Sequence, residues 1–200
     1  MPGDDQGAGA EKNGPPPKVP GPPKVLVSPI RPTAQTWIGL GSNLGETVRQ
    51  VEAAILALDS ESGIRVTARS SLYRTAPTDH LDQPEFVNAV VRAQCTLDPD
   101  ALLERLHTIE DRFGRDRSGP LFGPRTLDLD MLIYDELVLE TAALTLPHPR
   151  MHQRLFVLEP LFEIEGEMDI PALGRLTELR AGCASQRVVP LAESAPQSPG

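Results

Sequence analysis

The chain is poor in cysteine: Cys95 and Cys183 are the only two among 200 residues, and they form no C-x-x-C pair. Neither a disulfide scaffold nor a cysteine-rich zinc site is encoded, and a reducing compartment suits such a chain. No apolar run approaches the ~20 residues of a membrane span, and no apolar signal core follows a basic start. The expectation is a cytoplasmic protein with no membrane partner. Aromatics make up only 4%, and 19 Lys and Arg stand against 28 Asp and Glu, a formal net charge of -9. A chain that repels polyanions and has few stacking rings is a poor nucleic-acid binder, and an RNA-binding sheet ranks last among its readings. No G-x-x-x-x-G-K-[ST] run occurs, which excludes a Walker-type loop. Gly39-x-Gly41-x-x-x-Gly45 is one residue longer than the dinucleotide fingerprint and reads as a tight strand-to-helix turn.

The composition, 40% hydrophobic and 24% charged, is that of a folded domain. Residues 1–34 hold nine of the 21 prolines and read as a disordered Pro/Gly-rich extension. Residues 185–200 read as a second disordered tail, which leaves a single domain over 35–184. Within it, Thr36 to Leu40 reads as a strand, and Leu44, Val48, Val51, Ile55 and Leu58 recur at helical spacing. A strand is expected from Ile64 to Arg74 and another from Glu85 to Thr96, with Val87, Ala89, Val91, Ala93 and Cys95 on its core face. Asp98 as N-cap, Pro99 in the first turn, the stripe Leu102, Leu106, Ile109 and Phe113, and Gly114 at the end mark a helix. A further strand covers Leu127 to Tyr134, and a closing helix follows Pro149. This βαββαβ order predicts an α+β, ferredoxin-like sandwich, a mainly antiparallel sheet with helices packed on it.

In the strand from Leu127, Leu127, Leu129, Met131 and Ile133 alternate with Asp128, Asp130, Leu132 and Tyr134. Both carboxylates therefore share one face, about 7 Å apart at Cα. Two acids aimed at one spot suit Mg²⁺, which prefers hard oxygen ligands and is often held by one or two carboxylates plus phosphate oxygens. A solvated acidic edge is the bland reading of D-x-D alone. The preceding loop, 114–126, answers it with three glycines, two prolines and the arginines Arg115, Arg117 and Arg125 inside an acidic protein. Arginine forks match phosphate oxygens, so acids and loop read as two halves of a triphosphate clamp. His148 and Arg154 add donors near an anion. Zinc is not expected at His148 and His152, because no H-E-x-x-H occurs and Pro149 interrupts the helix. Phe86 and Asn88 share a strand face that suits a flat heterocycle as well as it suits ordinary packing.

Five blocks resemble, in order and spacing, the hydroxymethyldihydropterin pyrophosphokinases of folate biosynthesis. They are Gly41-Ser42-Asn43-Leu44-Gly45, Tyr73 to Pro77, Asp82 to Asn88, Gly123 to Asp130 and Leu146 to Met151, within a resemblance running from about Trp37 to Met168. The resemblance implies transfer of pyrophosphate from ATP to 6-hydroxymethyl-7,8-dihydropterin, with release of AMP. It implies two Mg²⁺ ions on Asp128 and Asp130, and catalytic roles for those acids and for Arg115 and Arg117. It places His107, Glu110, Arg115, Arg117, Arg125, Met131, His148 and Arg154 at ATP. It places Thr75, Ala76, Pro77, Thr78, Phe86, Asn88 and Phe156 at the pterin, with the two phenylalanines sandwiching the ring. His107, Phe86, Phe122 and Thr78 depart from the family's usual residues. The implied partners are the two small-molecule substrates, and a monomer is expected. A non-catalytic ligand-binding or regulatory ferredoxin-like module that kept the pocket is the competing class; loss of either acid would favour it, and both are present.

Overall fold

Strand pairing is set by the two longest apolar strands. In the computed structural model, which describes residues 25–26, 32–77, 82–115 and 123–191, β1 is Val25–Leu26 and β2 is Ala34–Ser42. They are followed by α1 (Thr47–Ser60), β3 (Ile64–Arg69), β4 (Tyr73–Thr75), β5 (Phe86–Cys95), α2 (Pro99–Arg112) and β6 (Asp128–Tyr134). The C-terminal third adds β7 (Val138–Glu140), β8 (Thr145–Leu146), α3 (Leu155–Glu165), β9 (Asp169–Ile170), β10 (Gly174–Arg175), α4 (Leu176–Gly182) and β11 (Val188–Pro190). β2 runs antiparallel to β5 from Ala34 opposite Cys95 to Ser42 opposite Val87. The main sheet has the order β11-β4-β5-β2-β6, with β3 also paired to β5. All of its pairings are antiparallel, as the α+β sandwich requires.

α2 forms as its signals dictate. Asp98 Oδ1 accepts the Ala101 N–H at 2.8 Å, Pro99 opens the helix, and Gly114 takes the left-handed φ of 73° just beyond its end. Leu102, Leu106 and Ile109 are fully buried. They join Val51, Ala54, Ile55 and Leu58 of α1 and Val87, Ala89, Val91, Ala93 and Cys95 of β5 in one apolar cluster. Leu44 and Val48 leave the expected stripe: Leu44 precedes α1, Val48 lies in its first turn, and both are exposed. On the opposite face Trp37, Val90, Leu132 and Ile133 pack with Val157, Leu158 and Leu161 of α3 and Leu176 of α4.

Three expectations are corrected. The strand from Ile64 to Arg74 is two strands, because Ser70 turns inward; its hydroxyl accepts the Val90 N–H at 3.0 Å and its own N–H donates to Val90 O. The alternation of β6 reverses after Met131. Trp37 pairs with Ile133 but Ile38 with Met131, so the bulge at Leu132 sends Leu132 and Ile133 to one face and returns Tyr134 to the other. Both expected tails contain strand: Val25–Leu26 pairs with β7, and Val188–Pro190 extends the main sheet beside β4.

Candidate active site

β2 carries Gly39 and Gly41 where its neighbours carry side chains, and it thereby leaves a recess in the sheet. Asp130 pairs opposite Gly39 and Asp128 opposite Gly41. A Cβ on Gly41 would stand 3.0 Å from Asn88 Oδ1, and one on Gly39 would stand 3.5 Å from Leu132. Absent side chains thus form the floor, and both acids stand on its β6 wall. Gly39 and Gly41 belong to the strand, so the glycine run does more than make the expected turn; only Gly45, with φ 68°, turns the chain.

The acids are embraced by arginines. Arg115 Nη1 lies 2.5 Å from Asp128 Oδ1, Arg125 Nη1 2.6 Å from Asp128 Oδ2, and Arg154 Nη1 3.8 Å from Asp130 Oδ2. Asp130 keeps 39% of its side-chain surface accessible, but only within the recess. Poor solvation there, then the Asp128 charge, push its carboxyl up to about 7 against the pull of Arg154. Glu110 adds to the same negative field at Asp130. Among the described residues no three His, Cys, Asp or Glu side chains form a metal cage. A magnesium ion needs none: two hard oxygen donors plus substrate phosphates complete its shell, so the donor set fits that ion.

Glu110, expected at the nucleotide, is held inside the protein. It is 1% exposed, accepts the Leu129 N–H at 2.8 Å and pairs with Arg115. Leu129 lies between the two acids on β6, at the edge of the sheet, where no further strand among the described residues takes its N–H. The α2 carboxylate therefore fixes the peptide that aims both acids. Met131, also expected at ATP, turns its side chain away. Its side chain is 3% exposed in the α1 and α2 cluster, on the face opposite the acids, because the period of two sends it there. His107 is exposed on α2, one turn before Glu110, and does not line the recess. The His148 N–H donates to Leu132 O at 2.8 Å, and its ring Nδ1 accepts from Arg150 N–H, which leaves the proton of the neutral ring on Nε2. Burial first, then Arg154 and Arg150, lower its pKa to about 4. Arg117, Phe122 and Thr78 lie outside the described residues.

The recess continues between Phe86 of β5 and Phe156 of α3, both lining it, with the Arg154 guanidinium 5.5 Å over the Phe156 ring. Thr75 and Asn88, each 6% exposed, form its polar back wall, where Asn88 Nδ2 donates to Thr75 Oγ1 at 2.8 Å. Ala76 lines the same space, and Pro77 follows it in the chain, half-buried. Gln83 also lines the recess, and neither it nor the two floor glycines was given a place in the site from the sequence. The sequence signals for those glycines were the G-x-G spacing and, for Gly41, the block it opens.

Comparison with known proteins accords with this geometry. The model of the 7,8-dihydro-6-hydroxymethylpterin-pyrophosphokinase (HPPK) family matches residues 37–166. The 2-amino-4-hydroxy-6-hydroxymethyldihydropteridine pyrophosphokinase of Haemophilus influenzae is 40% identical over 155 residues, 78% of this chain and 96% of that protein. Its namesake from Bacillus subtilis is 40% identical over 142 residues, 71% of this chain and 84% of that protein. The crystal structure of Plasmodium falciparum wild-type HPPK-DHPS with SDX-DHP shares the fold with a TM-score of 0.60 at 13% identity. That match covers 78% of this chain and spans 45% of the larger one. The chain therefore belongs to the hydroxymethyldihydropterin pyrophosphokinase family, whose reaction transfers pyrophosphate to hydroxymethyldihydropterin in folate biosynthesis.

Proposed function

We propose that this chain takes the pyrophosphoryl group from ATP, releases AMP, and depends on two Mg²⁺ ions held by Asp128 and Asp130. The observation that carries the reading is the carboxylate pair on a glycine floor, with Arg115, Arg125 and Arg154 already drawn to it. Magnesium, when bound there, supplies positive charge to the phosphate oxygens and fixes their orientation. Arg115, Arg125 and Arg154 then pass from carboxylate to phosphate oxygens, for which their forks are equally suited. Arg117 joins them in this reading. His148 donates through Nε2–H to a phosphate oxygen. Phe86 and Phe156 hold the pterin ring between them, and Asn88 and Thr75 meet its polar edge, turning the hydroxymethyl group toward the acids. Glu110 keeps the acid-bearing strand in place. No buried base is required, because alignment and fixed charge stabilise the transferring group. The two buried free cysteines fit the cytoplasm, where we place the enzyme.

Incubation of the protein with Mg·ATP and the reduced pterin alcohol should yield AMP and the pterin diphosphate. Release of ADP, or turnover undiminished by a chelator, would overturn the reading.

A further inference from the structure

We propose that Asn43 is a positioning residue that ties the pterin side of the recess to its phosphate side, so that the alignment of each half depends on the other. Asn43 directly follows β2 and is 2% exposed. Its backbone N–H donates to Arg125 O at 3.1 Å, and its Oδ1 accepts the Arg125 N–H at 2.8 Å. This two-way pairing holds the Arg125 peptide, and Arg125 in turn reaches Asp128 Oδ2. The same side chain turns Nδ2 the other way, to Gln83 Oε1 at 3.1 Å and Pro84 O at 3.3 Å. Gln83 lines the recess, and Phe86 lies three residues further along the chain.

The amide orientation follows from its partners: the Arg125 N–H demands an oxygen, and the Pro84 carbonyl demands a donor. A side chain of this length with an acceptor at one corner and two hydrogens at the other satisfies both sides. Aspartate keeps the first bond and sets an anion against two oxygens. Alanine loses both.

This inference rests on the reading that Phe86 faces the pterin and the arginines face ATP, and the variants separate the two ideas. Binding of the reduced pterin alcohol, in the presence of magnesium and a non-hydrolysable ATP analogue, is titrated alongside binding of the analogue alone, using the full chain. Asn43→Asp should weaken the pterin about tenfold, the size expected for breaking buried hydrogen bonds, and leave the analogue within about twofold. Asn43→Ala should weaken both ligands. Gln83→Ala, a milder change, should weaken the pterin alone. Melting temperature and circular dichroism check that each variant is folded, and if Asn43→Ala does not fold, Asn43→Asp and Gln83→Ala carry the test. Wild-type pterin affinity in Asn43→Asp, or equal loss of both ligands in it, overturns the proposal. Unchanged pterin binding in Phe86→Ala would show instead that the assignment of the two half-sites is wrong.

Discussion

The two faces of the main sheet are built from the same strands and do opposite work. On one face α1 and α2 cover β5, β2 and β6 with an unbroken apolar cluster from Ile64 through Val91 and Ile38 to Met131. On the other, α3 and α4 cover Trp37, Val90, Leu132 and Ile133 at one end only. Beyond Leu132 the residues of that face become Gly39, Gly41, Asn88, Asp128 and Asp130, and the apolar cover gives way to the recess. The first face removes apolar area from water and stabilises the fold. The second holds Asp130 poorly solvated beside the charge of Asp128, an arrangement that costs stability and suits a cation. Function therefore sits where the covering layer stops and the strand side chains vanish.

Single substitutions sharpen that contrast. The largest effect is expected from Asp130→Ala. Turnover should fall by about a thousandfold or more while the melting temperature stays level or rises, because a poorly solvated charge has been removed. Steady-state assay beside thermal melting decides it, and an active variant would remove the acid pair from the chemistry. Leu106→Ala, on the closed face, should do the reverse. It should cost about 3 kcal/mol of stability in denaturant titration, yet preserve turnover per folded molecule.

The smallest effect concerns His148, whose folded pKa near 4 lies below the ordinary value of 6.5. The unfolded chain takes up that proton more readily, so His148 leaves stability untouched above pH 6.5 and lowers it as pH falls from 6.5 toward 4. His148→Gln should flatten the melting-temperature profile in that window and nowhere else. An unchanged slope would mean that burial and the neighbouring arginines do not hold the imidazole neutral.

Much of the architecture was legible because it is written in local chemistry. The Asp98 cap, Pro99 and Gly114 mark α2 without reference to any other element, and the alternation from Val87 to Cys95 marks the buried face of β5. The acid pair was legible for the same reason: a period of two needs no partner to place Asp128 and Asp130 together. Other features depended on partners distant in sequence. Ser70 breaks its strand because Val90 meets it, and Leu132 bulges because Trp37 and Ile38 take pairing partners two residues apart. Val188–Pro190 becomes strand only beside β4. The role of Glu110 was concealed most fully. The resemblance implied a nucleotide contact, and the fold adds that its buried carboxylate holds the Leu129 peptide.

By itself the sequence determined the elements, the common face of the two acids, the basic loop before them and the family they belong to, since each follows from residues near one another in the chain. The tertiary structure alone decided that two glycines opposite the acids hollow the sheet, that Glu110 props the acid strand from behind, and that Asn43 joins both halves of the site. Those facts depend on distances between residues 19 to 91 positions apart, which only pairing and packing across the sheet can set.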